Sequence, residues 1–291
     1  MDRRSFVKTC VGVAGAGALA ASGLSMAAGL AIPRRAGGAL IRYYGAHRVG
    51  GPAPRGVPLI PITVQDGKFV GKTSILAFNK DTGKADPSLP PVNILDWYKY
   101  CGHAGAPGLT PTFTNDNTLT YFEKDLYKSI KPWFDGKYGN PISPDDFPAN
   151  SFGAAFQWRS KGQSGVNVLS GVIIRANPDE VKFVTSTVPP AKPLASKAEY
   201  DYVVENIHHV DPDTKNHFIA VSTFCTHFCC VPGYKEAEAL ARPRNAWDNM
   251  FCTCHNSNYN YRQPVAYTFS PETVGAADEG GFDPLLKRQA A

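Results

Sequence analysis

The chain has 291 residues, 30 Lys and Arg against 25 Asp and Glu, a formal net charge of +5, and 43% hydrophobic residues. That balance is too weak for a nucleic-acid binder, and no basic run alternates with aromatics. The length allows one large domain or two modest ones, and 27 Gly, 24 Pro and 13 Tyr favour a loop-rich β protein over a helical one.

The N-terminus, Asp2-Arg3-Arg4-Ser5-Phe6-Val7-Lys8, resembles a twin-arginine export signal. An uncharged Ala- and Gly-rich stretch follows at 9–32. At about 1.5 Å per residue it is long enough to cross a hydrocarbon core of roughly 30 Å. Ser25-Met26-Ala27 also offers a small-residue cleavage site, so anchor and cleaved signal both stand at this point.

Residues 33–58 are punctuated by Gly37-Gly38, Gly50-Gly51, Pro52, Pro54 and Pro58, and read as a linker or hinge. Strands are predicted at 59–64 and 69–78, with Asp66-Gly67 as a tight turn between them. The stretch 81–150 breaks that rhythm and reads as an insertion, with a short helix near 124–131. Its aromatics, among them Trp97, Tyr98, Tyr100, Trp133, Phe134 and Tyr138, are assigned to its own core. Cys101-Gly102-His103 has no second pair to match it and is read as structural. Strands resume at 166–175 and 181–188 around a turn at Asn177-Pro178-Asp179. Pro189, Pro190 and Pro193 mark a crossover, and 217–224 is the next strand. A short helix near 235–241, a closing strand at 265–269 and an irregular tail beyond Pro271 complete the chain. His208, His209 and His217 lack a paired cysteine and are taken as surface or strand-edge residues.

Five of the seven cysteines fall between Phe224 and Tyr261. The first group is Cys225-Thr226-His227-Phe228-Cys229-Cys230, and the second is Cys252-Thr253-Cys254-His255-Asn256-Ser257. Each supplies one Cys and one His able to bind metal. Two thiolates and two imidazoles are what a [2Fe–2S] cluster needs when sulfur holds one iron and nitrogen the other. The same four donors suit tetrahedral zinc. Zinc sites, however, usually pair Cys with Cys and His with His, whereas each pair here is mixed, and zinc leaves the extra cysteines unexplained.

The pattern Cys-Thr-His-x-x-Cys followed by Cys-x-Cys-His-x-Ser-x-Tyr resembles the disulfide-bearing Rieske iron–sulfur proteins of quinol–cytochrome c oxidoreductases. The likeness covers about residues 225–259. It implies an all-β Rieske fold of antiparallel sheets, with a head at 59–291 and a small cluster-binding subdomain at about 217–264. One N-terminal transmembrane helix, 1–32, would precede it, followed by the hinge. The same likeness implies that Cys225 and Cys252 hold the buried iron, that His227 and His255 hold the exposed one, and that Cys230 and Cys254 form a disulfide. Ser257 would bond a bridging sulfide and Tyr259 the Cys225 sulfur, both raising the potential. His255, with His227 beside it, would meet quinol and take its proton along with the electron.

Partners implied are a cytochrome b subunit, quinol, and a c-type cytochrome or other acceptor. The chain would be an oxidoreductase subunit, inactive alone. It would sit in the cell membrane by a single pass, with its head on the extracytoplasmic side, where a disulfide persists. The small Rieske subunit of an exported molybdenum oxidase, such as an arsenite oxidase, is the alternative. Four features depart from the family, the first being a longer than usual spacing from Cys230 to Cys252. Cys229 and Asn256 stand where Gly is usual, and the family's Gly-Pro-rich loop is reduced to Arg262-Gln263-Pro264.

Overall fold

The computed structural model describes residues 41–93, 117–123, 131–148, 153–158, 169–187, 191–226, 249–252 and 255–269. The expected membrane helix at 1–32, the helix at 235–241 and the tail lie outside these, as does the helix near 124–131 apart from Lys131. No helix among the described residues is long and apolar enough to cross a membrane.

What is described is largely β, in antiparallel sheets, with one short α-helix. A small sheet joins β1 (Ile41–Gly50), β15 (Ser257–Phe269) and β14 (Met250–Cys252), with β15 in the middle. The large sheet is built on β13 (His217–Ser222), β11 (Leu169–Ala176) and β10 (Gly153–Trp158), in that order. β9 (Thr120–Tyr121) pairs with the outer side of β10, while β2 (Leu59–Ile60) and β12 (His209–Val210) share the free side of β13.

Smaller ribbons flank these sheets. β3 (Ile62–Gln65) and β4 (Lys68–Gly71) form a hairpin closed by Asp66 and Gly67, at φ 49° and 73°, as the Asp-Gly pair predicts. The single strand expected at 69–78 is instead three pieces. β4 pairs with β3, β5 (Ser74–Ile75) with β8 (Val92–Asn93), and β6 (Ala77–Asn79) with β7 (Lys84–Asp86).

Every residue of β10 and of β13 is buried. Their sequences therefore show no polar–apolar alternation, and β10, with two alanines and no β-branched residue, carries only Phe156 and Trp158 as strand-favouring residues. The helix α1 (Lys197–Ile207) was likewise unexpected. Ser196 caps it by accepting from Glu199 N–H at 3.1 Å. Glu199, Tyr202, Val203 and Ile207 form its buried face at helical spacing.

Four further expectations are corrected. The supposed linker at 33–58 becomes, from Ile41 on, a ten-residue strand paired along β15, because Tyr43, Tyr44 and Ala46 are buried there. Residues 181–187 form no strand, being docked by Lys182 N–H on the Arg262 carbonyl at 3.0 Å rather than by a ladder. The described parts of the 81–150 insertion are built into the main body. Tyr121 pairs with Phe156 across the sheet, and Trp133 meets Phe147 at 5.0 Å within the common aromatic core. Finally, His208 and His217 are buried, at 3% and 9% exposure, with their Nδ1 atoms 3.3 Å apart.

β15 also starts eight residues earlier than the strand expected at 265–269, since it continues through a bulge. Ala46 pairs with Pro264 and His47 with Asn260, leaving 261–263 as the extra residues. Proline, lacking an N–H, is tolerated at such a break.

Candidate functional site

The two cysteine-bearing segments leave different sheets. Cys225 follows β13 by three residues at the end of the large sheet, and Cys252 is the last residue of β14 in the small one. Both are buried, and between them lies Tyr259 of β15, fully enclosed. From Ser257 to Tyr261 burial alternates, so Ser257, Tyr259 and Tyr261 turn one face inward. Cys252 pairs across the ladder with Ser257.

Tyr259 Oη stands 2.8 Å from Cys225 Sγ. Either group can donate in this contact, and against a thiolate or a metal-bound sulfur the phenol is the donor. Burial, followed by the charge it would share space with on Cys225, pushes its acid dissociation well above the ordinary tyrosine value. A hydroxyl kept protonated and aimed at sulfur stabilises negative charge there.

Ser257 is wholly buried, and its Oγ accepts the Ala53 N–H at 3.0 Å. Its own hydroxyl hydrogen meets no acceptor among the described residues. Buried donors in native proteins are almost always paired. An anionic sulfur group held by the neighbouring Cys252 is an acceptor of the right chemistry, so the residues present fit a cluster of the Rieske kind on this side.

Asn256 has φ 63°, and its N–H closes on the Cys252 carbonyl at 2.9 Å. The second loop thus turns through the left-handed region at the position where the family carries Gly, and Asn is among the few other residues that adopt it readily. The turn leaves His255 exposed. His227, Cys229, Cys230 and Cys254 lie outside the described residues, as do Cys101 and His103. Among the described residues, no three His, Cys, Asp or Glu side chains converge into a metal-binding group. The structure therefore brings together Cys225, Cys252, Ser257 and Tyr259, and sets His255 at the surface.

Three contributors were not anticipated from sequence. Thr226 Oγ1 donates to the Arg55 carbonyl at 2.5 Å and accepts the Arg55 N–H at 3.2 Å. With Ala53 on Ser257, this places residues 53–55 against both cysteine-bearing loops. Gly51, at φ 83°, lies so close that a Cβ there would stand 2.6 Å from the Asn256 carbonyl oxygen. The signal was Gly51-Pro52-Ala53-Pro54 itself. Gly and Pro serve a close, rigid approach as well as they serve a linker. Arg262-Gln263-Pro264, by contrast, belongs to the bulge of β15.

The site is that of a largely β protein with two buried cysteines bracketing a tyrosine and a serine. Comparisons with protein-family models, curated proteins and solved structures find no match to this chain.

Proposed function

We propose that the chain is the Rieske-type electron-transfer subunit of a membrane quinol-oxidising bc-type complex. It takes an electron, coupled to a proton, from quinol and passes it to a c-type cytochrome or another acceptor. The observation that supports this best is the Tyr259 hydroxyl beside Cys225 Sγ at 2.8 Å, with Cys252 and Ser257 likewise buried.

In this reading Cys225 and Cys252 hold the inner iron, His227 and His255 the outer one, and Cys230 and Cys254 form a disulfide, all within a Rieske fold. A [2Fe–2S] cluster so held carries one electron, at a potential raised by exchanging two thiolates for imidazoles. Tyr259 and Ser257 act as donors that favour the more negative, reduced form. His255, at the surface, presents a ring nitrogen that accepts a hydrogen bond from quinol and then its proton. Residues 1–32 anchor the head on the extracytoplasmic side, beside a cytochrome b subunit.

The test is a redox titration of the full-length protein purified from membranes, followed by EPR at several pH values. A [2Fe–2S] signal with a high midpoint that falls as pH rises supports the proposal. A colourless, EPR-silent, zinc-loaded protein refutes the cluster. A low midpoint independent of pH, or copurification with a molybdopterin subunit in place of a b-type cytochrome, refutes the quinol role.

A further inference from the structure

The segment after β1 crosses from the small sheet to the large one. At its far end two adjacent carbonyls touch both sheets: Val57 accepts the Ala46 N–H of β1 at 2.8 Å, and Pro58 accepts the Ser222 N–H of β13 at 3.0 Å. Each sheet supplies one of the buried cysteines, so this crossover is a covalent link between the two halves of the site, additional to the stretch of chain that runs from Cys225 to Cys252. Along the way its backbone meets a hydroxyl in each half, Thr226 beside Cys225 and Ser257 opposite Cys252.

We propose that the backbone of Ala53–Arg55 is a positioning clasp, which holds the two cysteine-bearing loops together and fixes the Ser257 hydroxyl as a donor into the centre. The inference deepens the Rieske-type reading and rests on it.

The two contacts do different work. Thr226 both donates to Arg55 and accepts from it, which ties the first loop to the crossover, and its hydroxyl also lies beside that of Tyr259. Ser257 only accepts, from Ala53 N–H. A serine hydroxyl has one hydrogen and two lone pairs. An N–H occupying a lone pair excludes the hydroxyl hydrogen from that direction, since two donors would face each other. The hydrogen must point away from the crossover, and the side chain opposite Ser257 on the same face of the ladder is that of Cys252.

Sequence and packing both suit a clasp rather than a loop. In Pro52-Ala53-Pro54 the single backbone N–H belongs to Ala53, and the flanking rings fix φ on either side of it. Gly56 has no room for a side chain, because its Cβ would stand 2.8 Å from Cε2 of Tyr267. The Tyr43 hydroxyl bonds the Gly56 carbonyl at 3.0 Å. The amide therefore reaches Ser257 pre-set, with little entropy left to lose.

The experiment compares Ala53→Pro, Ser257→Ala and the double variant in the full-length, cluster-loaded protein, reading midpoint potential by EPR and iron per chain. Ala53→Pro deletes the N–H and leaves the serine. Both single variants are expected to shift the one-electron reduction equilibrium about tenfold toward the oxidised form, about 59 mV. The double variant should fall no lower than Ser257→Ala alone. An Ala53→Pro protein at the wild-type midpoint, or additive shifts in the double variant, overturns the clasp while the cluster reading stands. A wild-type protein with no [2Fe–2S] signal overturns both. Where Ala53→Pro does not load iron, Gly51→Ala decides by the same criterion. It displaces the crossover from Asn256 without altering any hydroxyl, and an unchanged midpoint there also refutes the clasp.

Discussion

Replacing Tyr259 by Phe deletes one oxygen and leaves the ring in place. Because the residue is fully enclosed, no solvent molecule takes over the bond to Cys225 Sγ. A hydrogen bond to a charged acceptor is worth about 1.5–3 kcal/mol. At about 59 mV per 1.36 kcal/mol for one electron, that is roughly 65–130 mV. The bond exists in both oxidation states, and only its strengthening on reduction moves the potential, so the upper figure is a ceiling. The expected result is a midpoint lowered by several tens of millivolts, and by no more than about 130, with iron content unchanged. EPR-monitored redox titration of Tyr259→Phe beside the wild type measures it. A midpoint equal to or above the wild type, in a protein with full iron, would show that the hydroxyl does not act on a redox-active sulfur.

Three other outcomes follow from the described geometry. Burial, and then the facing His217, holds folded His208 neutral down to about pH 3, whereas the unfolded chain takes up that proton near 6.5. Below about 6.5 the unfolded state binds more protons, so stability falls with pH until about 3. At pH 5 this group alone costs about 2 kcal/mol, which chemical denaturation should show as a pH dependence reduced in His208→Gln. A variant with the full wild-type dependence refutes this. Asn256, at φ 63°, should accept Gly readily, while Val costs about 1–2 kcal/mol by the same assay. A Val variant as stable as the wild type would contradict the left-handed turn. Glu199, buried at the start of α1, accepts from Tyr44 Oη at 3.1 Å and from Ala195 N–H at 2.5 Å. Glu199→Ala leaves both donors unpaired and should destabilise by about 1–3 kcal/mol, seen as a lowered melting temperature. An unchanged melting temperature would refute that role.

The motif could be read as a pattern because its chemistry is local. The spacing of Cys225, His227, Cys252 and His255, and of Ser257 and Tyr259 behind them, depends on loop chemistry that a string of residues displays. The Asp66-Gly67 hairpin was readable for the same reason, as its φ values are a property of two residues. The β-rich character came from composition.

What the string does not display is which distant segments share a hydrogen bond. Residues 41–58 looked like a tether because Gly and Pro break local patterns. Only the pairing of β1 with β15, over two hundred positions away, makes a strand of them. β10 is invisible because both of its faces are covered, and burial on both sides erases the alternation that marks a strand. His208 and His217 look like surface histidines until β13 and the residues before β12 bring them together. The same holds at the site. Cys225, Ser257 and Tyr259 were named from sequence, but the Ala53 amide that governs the serine was not, since a backbone N–H has no letter of its own and its partner is set only by the tertiary fold.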